Sequence, residues 1–298
     1  MNSTSPTLSF ALSASEDNTN DPDRSIGAIL VRGGQLTLTD AERIRRYQKE
    51  NDMRFGDAAV SLGLLTSADI ELALSQQFEY PYLLRGASPI SETIVAAYEP
   101  FTRRVESMRA LRNQLMRRWF DTGSTRRALT ITSAERRVGR SYIASNLAVL
   151  FSQQGQRTLL IDADMRNPCQ HQLFGLENRV GLSSILSGRN GLDAVQSVPA
   201  LANLSVLTVG APPPNPLELL GRPIFGHLLE ELGAKYDVIL VDTPAAEECS
   251  DAQTTAAKSG AALIITQRNV SRVDKVGQLV HLLSDAHAHV LGTVLNDF

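Results

Sequence analysis

Arg157-Thr158-Leu159-Leu160-Ile161-Asp162-Ala163-Asp164-Met165-Arg166-Asn167-Pro168 joins an unbroken apolar run to two carboxylates and a guanidinium at its carboxyl end. Leu159-Leu160-Ile161 lacks the alternation of a half-exposed strand, so it reads as a central strand of a parallel sheet covered on both faces. On that reading Asp162, Asp164 and Arg166 emerge at the edge where open α/β sheets take their ligands. A single Asp there could merely cap the following helix. Two of them, alternating with Ala163 and followed by Arg166, mark a candidate site, because buried charge is rare without a partner.

Working outward, a strand at Ala128–Thr132 runs into Ser133-Ala134-Glu135-Arg136-Arg137-Val138-Gly139-Arg140-Ser141 and then a helical stretch from Tyr142 to Leu150. A phosphate loop, G-x-x-x-x-G-K-[ST], needs glycines so that successive N–H groups turn inward, a lysine for charge and a hydroxyl for magnesium. Here Gly139 and Ser141 are kept, Ala134 stands for the first glycine, and Arg140 stands for the lysine. Arginine keeps the charge and can bind phosphate bidentately, but it is planar and bulkier. Arg136 and Arg137 add bulk where such loops favour small residues. Downstream, Tyr236-Asp237-Val238-Ile239-Leu240-Val241-Asp242-Thr243-Pro244 is another buried strand ending in an acid, the pattern that holds magnesium through a carboxylate and water. Asp242 alone could cap a turn before Pro244. Together, Ser141, Asp162 with Asp164, and Asp242 place three strand ends around one phosphate and magnesium site.

At 298 residues the chain suits one medium and one small domain. Its net charge of -3 gives no electrostatic reason to expect nucleic acid. Nearly all the cations are arginines, with no lysine between Lys49 and Lys235, so no lysine near the loop can replace the missing one. Cys169 and Cys249, in a chain without a signal-peptide pattern, are expected to be reduced, half-buried thiols. Apolar runs such as Ala261–Ile265 are far shorter than the ~20 residues that span a bilayer. The expected location is cytoplasmic, peripheral at the inner membrane through a partner.

Residues 1–24 read as a disordered tail. Residues 25–84 hold an internal repeat offset by 29 residues, pairing Gly27 with Gly56, Gly34 with Gly63, Leu36 with Leu65, Thr37 with Thr66, Asp40 with Asp69 and Gln48 with Gln77. Fixed-period similarity indicates two copies of a small helical unit. Thr37–Asp40 and Thr66–Asp69 both read as helix-start capping sequences. Residues 85–124 read as a linker and an amphipathic helix, with Glu106, Arg109 and Arg112 on one face and Val105, Met108, Leu111 and Leu115 on another. Residues 125–298 form the nucleotide domain. The fold class is α/β, a parallel sheet with helices on both faces and the phosphate-loop arrangement, preceded by the small, mainly helical repeat domain.

The repeat resembles the N-terminal domain of type II secretion and type IV pilus ATPases, some of which bind cyclic di-GMP through paired Arg-Leu-Gly motifs. That resemblance points to Arg54, in Arg54-Phe55-Gly56, and to Arg24, one place early in the first copy; a docking role is equally open. From Glu106 onward the chain resembles bacterial tyrosine kinases of capsule and exopolysaccharide synthesis. The resemblance rests on the E-x-x-R-x-x-R helix, on Asp162–Arg166, on Pro212–Leu220 and on Val241–Pro244. With the repeat domain in front, it is similar to the chain-length-determinant-associated EpsG type.

The resemblance implies ATP and Mg2+ as cofactors. Val138, Gly139, Arg140, Ser141 and Tyr142 would hold phosphate, and Asn296 adenine. Ser141, Asp162 and Asp242 would hold the metal, and Asp162, Asp164 and Arg140 would do the chemistry. It also implies ring self-association through Glu106, Arg109 and Arg112, and a membrane chain-length determinant that supplies an activating cytoplasmic tail. Such kinases commonly carry a C-terminal tyrosine cluster. The last tyrosine here is Tyr236, so the expected acceptor is Tyr142, Tyr236, an N-terminal tyrosine or a partner protein. A rival reading is a catalytically impaired nucleotide-binding scaffold that regulates polysaccharide assembly. A third, a partitioning-type switch ATPase, would want a lysine where Glu135 and Arg136 stand.

Overall fold

Seven strands form one sheet in the computed structural model of the chain, in the order β3-β4-β2-β5-β1-β6-β7. They are β1 (Ala128–Thr132), β2 (Thr158–Asp162), β3 (Gln196–Ser197), β4 (Leu204–Leu207), β5 (Val238–Asp242), β6 (Ala261–Gln267) and β7 (His289–Asn296). Every neighbouring pair is parallel except the short edge pair β3–β4. The structure describes residues 25–66, 69–70, 73, 82–83, 85–123 and 126–297, and it divides into two units, Met1–Tyr80 and Pro81–Phe298.

In the first unit lie helices α1 (Ile26–Arg32), α2 (Leu38–Asn51) and α3 (Phe55–Ser61). The second contains α4 (Val95–Tyr98), α5 (Arg103–Leu115), α6 (Arg140–Gln153), α7 (Gln170–Phe174), α8 (Leu182–Leu186), α9 (Pro216–Gly221), α10 (Pro223–Gly233), α11 (Asp251–Ser259) and α12 (Val273–Asp285). Successive strand residues face opposite ways, and that alternation sorts the core. Leu160 and Leu240 enter one cluster with Leu147, Leu150 and Phe151 of α6, while Leu159, Ile161, Ile239 and Val241 enter another with Phe225, Leu228 and Leu232 of α10. Both faces are covered, which is why the middles of β2 and β5 are apolar without alternation. Each fully buried Leu or Ile contributes about 1.5–3 kcal/mol.

The segment read as a linker is built into the second unit. Ile90, Ile94, Val95, Ala96, Ala97 and Tyr98 are buried in the same cluster as α6. Ser91 N–H donates to the Leu173 carbonyl at 2.8 Å, and Ala96 N–H donates to Asn146 Oδ1 at 2.8 Å. Val105, Met108 and Leu115 form the buried face of α5, as their spacing predicts. The helix then passes into a π-helical segment, Met116–Phe120, which turns Trp119 and Phe120 into the core; Trp119 Nε1 donates to the Ala128 carbonyl at 3.0 Å. The compact unit therefore begins near Pro81 rather than at residue 125. Short apolar runs broken by Ser and Pro carry no period from which this could be read.

In the first unit the offset of 29 recurs in three dimensions. Both α1 and α3 are seven residues long and are followed by glycines in the left-handed region, Gly34 at φ 73° and Gly63 at φ 66°. Leu36 and Leu65 are both buried after those turns. Thr37 Oγ1 accepts from Asp40 N–H at 3.1 Å, and Thr66 Oγ1 accepts from Asp69 N–H at 3.3 Å, so each Thr caps the chain that follows. Arg24, Gln77 and the tail 1–24 lie outside the described residues. Among the described residues no helix is long and apolar enough to cross a membrane.

Candidate functional site

Three adjacent strands end together. Asp162 closes β2 directly opposite Asp242 at the close of β5, and Asp242 in turn lies opposite Ile131 of β1. From β1 the chain turns through Ser133–Val138 to Gly139, whose φ of 92° only glycine adopts without strain, and enters α6. No side chain caps α6, whose start carries the helix's positive pole. The turn lies between β1 and α6, the position of the loop in a P-loop NTPase, despite the substitutions.

The acids are buried and differently employed. Asp162 Oδ2 accepts from Cys169 N–H and Gln170 N–H, both at 3.0 Å, and its Oδ1 accepts from Asp164 N–H at 3.2 Å. Asp164 Oδ1 accepts from Asn167 N–H at 2.9 Å. Each of the pair thus also caps the turn into α7, the role a single Asp at a strand end is expected to have. Asp242 differs: its Oδ2 accepts from Gln170 Nε2 at 2.8 Å, while its Oδ1 is buried with no hydrogen-bond partner. Burial, offset by the Arg140 charge, pushes the Asp242 carboxyl up to about 6. Burial, with Asp242 beside it, also holds Asp162 well above the usual carboxylate range. Burial raises the neighbouring Cys169 thiol to about 12, so it stays neutral and is no nucleophile at ordinary pH.

The orphaned oxygen of Asp242, the Asp162 carboxylate opposite it across the strands and the Ser141 hydroxyl in the first turn of α6 are hard-oxygen donors, which fit magnesium. Among the described residues no cluster of three or more His, Cys, Asp or Glu would cage a metal alone.

Arg140 is turned onto its own loop and onto the end of β5. Its Nε donates to the Thr243 carbonyl at 2.8 Å, and its Nη1 donates to Ser133 Oγ at 2.7 Å and to the Glu135 carbonyl at 3.2 Å. Nη2 lies 3.8 Å from Asp164 Oδ2. The two extra arginines point elsewhere. Arg136 pairs with Glu248, and its N–H donates to Glu247 Oε1 at 2.9 Å, while Glu247 also meets Lys275. Arg137 is exposed at φ 59°. Arg166 grips buried Asp251 with both Nε and Nη2 instead of entering the site.

Other expected residues divide. Asn296 ends β7 and donates from Nδ2 to the Val138 carbonyl at 3.0 Å, tying the last strand to the loop. Tyr142 is half-buried, and burial raises its phenol despite Arg104 beside it. Glu106 and Arg109 form an ion pair at 3.1 Å, whereas Arg112 donates to the Leu150 carbonyl at 3.1 Å within the chain. Arg54 is an exposed residue at the start of α3. Sequence reasoning missed Gln170, which touches Asp162, Asp242 and the Ser141 carbonyl. Its signal was only its place, at the start of the helix that follows an acidic strand end.

A family model, ParA, described as NUBPL iron-transfer P-loop NTPase, matches residues 124–297. The tyrosine-protein kinase YwqD of Bacillus subtilis is 32% identical over 209 residues, covering 70% of this chain and 87% of that one. The chain belongs to the bacterial tyrosine-kinase family of P-loop NTPases. EpsB of Ralstonia nicotianae is 31% identical over 229 residues, 77% of this chain but 29% of that longer protein. Among solved structures, the kinase domain of the Escherichia coli tyrosine kinase ETK gives a TM-score of 0.65 at 33% identity, over 68% of this chain and 79% of that one. For this tyrosine-kinase-family chain, the family model covers the loop, all three acids and Asn296, and leaves the repeat unit outside.

Proposed function

We propose that the chain is an ATP-dependent protein tyrosine kinase that regulates exopolysaccharide chain length and export. The unpartnered Asp242 Oδ1, buried at the strand ends beside the uncapped start of α6, carries this reading. Backbone N–H groups from Val138 to Tyr142 hold phosphate oxygens, and Ser141, Asp162 and Asp242 hold the metal. When bound, magnesium supplies positive charge against the transferring phosphoryl group. Asp164, through the oxygen that faces Arg140, orients or deprotonates an acceptor hydroxyl whose pKa near 10 otherwise keeps it a weak nucleophile. Arg140 leaves its loop carbonyls for the phosphate, and Asn296 borders the base. A membrane chain-length determinant supplies the activating tail, and Glu106, Arg109 and Arg112 serve self-association. Arg24 and Arg54 belong to a front domain of the secretion-ATPase type that takes cyclic di-GMP or docks a partner, as in the EpsG type.

A second reading, the impaired scaffold, is favoured by one observation. The Arg140 guanidinium already satisfies two carbonyls and a hydroxyl, so freeing it for phosphate costs those bonds. ATP turnover and phosphotyrosine mass spectrometry, with and without the partner tail, separate the two. The kinase reading expects phosphotyrosine in the wild type and a loss of about 100-fold or more in Asp164→Asn. Calorimetric ATP binding with equal, negligible turnover in wild type, Arg140→Lys and Arg140→Ala leaves the scaffold.

A further inference from the structure

Gln170 touches Asp162, Asp242 and the Ser141 carbonyl and was assigned no role by the motifs. It opens α7, is fully buried, and its backbone N–H is one of the two donors to Asp162 Oδ2. Its side-chain Nε2 donates to Asp242 Oδ2 at 2.8 Å and to the Ser141 carbonyl at 3.3 Å. Both amide hydrogens are thereby used, and the orientation of the amide follows from its two acceptors. What remains is Oε1, a buried acceptor with no partner, on a group hydrogen-bonded to a carboxylate whose Oδ1 is in the same condition. A purely structural amide spends both ends on the protein. This one spends its donors and keeps its acceptor.

The chemistry suits a neutral side chain. A lysine or arginine in this place would neutralise Asp242 and compete with a dication, whereas an amide orients the carboxylate and leaves its charge in place. Engaging Oδ2 leaves Oδ1 as the free oxygen, and the bond to the Ser141 carbonyl ties that choice to the first turn of α6. Unsatisfied buried acceptors cost about 1–3 kcal/mol each until a donor or cation meets them. Each of the two is an acceptor that such a group would satisfy.

We propose that Gln170 is a positioning residue for the metal, fixing which oxygen of Asp242 the magnesium meets and holding Ser141 and Asp242 in one register. The inference rests on the nucleotide and magnesium reading above. Its test is a Mg2+ titration of the full chain in the presence of a fluorescent ADP, with folding followed by circular dichroism. Gln170→Met, near-isosteric but without donor or acceptor, is expected to weaken apparent Mg2+ affinity about 10–100-fold, the usual effect of losing a partner of a metal-binding carboxylate. ADP affinity in EDTA is expected to stay at the wild-type value. Unchanged Mg2+ affinity in the folded variant overturns the proposal, as does an equal loss of metal-free ADP affinity, which is what mere distortion of the site produces. Should the methionine variant not fold, Gln170→Asn, which withdraws the amide from Asp242, carries the same expectations. A wild-type chain that binds no ADP with or without Mg2+ overturns the nucleotide reading and this inference with it, so the two failures are distinct.

Discussion

Asp242 and Arg140 hold the chemistry of the strand ends in balance. With its carboxyl pushed up to about 6 by burial, against about 3.9 in an unfolded chain, Asp242 binds its proton more tightly when folded. Its contribution to the stability of the ligand-free protein is therefore fully present below about pH 4 and is lost as pH rises through about 6. Cation binding requires the ionised form and strengthens over the same interval. The Mg2+-dependent rise in thermal midpoint, measured with ADP, is expected to be small at pH 5 and full at pH 7.5; a flat profile would contradict the raised carboxyl. Arg140→Ala strips donors from the Thr243 carbonyl and Ser133 Oγ in a buried setting. Urea unfolding of the nucleotide-free variant is expected to show a loss of about 2–4 kcal/mol. Arg140→Lys, which keeps the charge but reaches fewer acceptors, should lose less.

At the scale of the element, glycines of different kinds separate local from tertiary demands. Gly34 and Gly63 take positive φ in equivalent turns, and a Cβ at either meets nothing within 4 Å. Alanine at each site should cost a similar amount, about 1 kcal/mol, from backbone strain alone. Gly181 has an extended backbone at φ -177°, yet a Cβ there would sit 2.1 Å from the Thr208 carbonyl oxygen. Gly181→Ala should therefore destabilise by more than the other two together, with thermal unfolding as the measurement. The repeat was legible in sequence because its parts are local: a left-handed glycine, a buried leucine and a Thr–Asp cap within a few residues. Gly181 gave no such signal, since its constraint comes from Thr208–Gly210, the chain that follows β4.

For the whole molecule, the consequential feature is that residues 90–120 complete the core of the nucleotide domain. Ile94, Tyr98, Val105, Met108, Leu115, Trp119 and Phe120 share one cluster with α6 and β1. A fragment starting at residue 125 would expose that face of α6, with a loss of about 1.5–3 kcal/mol for each large apolar side chain removed from it. Such a fragment is expected to be insoluble or molten, whereas one starting at residue 81 should unfold cooperatively; near-ultraviolet circular dichroism and denaturant titration tell them apart. α5 therefore has an apolar face committed within the chain, and of the three residues assigned to self-association Arg112 is already bonded to the Leu150 carbonyl.

Continuous apolar runs at β2 and β5, each closed by an acid, determined the parallel sheet and the edge at which its site lies, because covering both faces of a strand leaves no room for alternation. Gly139 and Ser141 likewise marked the turn into α6, since left-handed backbone and a helix-start hydroxyl are local requirements. What each charged group does was decided only by folding. Asp162 and Asp164 cap the turn into α7, Arg166 turns to Asp251, Arg140 closes on the Thr243 carbonyl beyond β5, and Gln170 leaves one oxygen of Asp242 unpaired. Those partners lie up to about a hundred residues away along the chain, and a side chain's hydrogen bonds are set by which acceptors the packed strands bring within 3 Å of it.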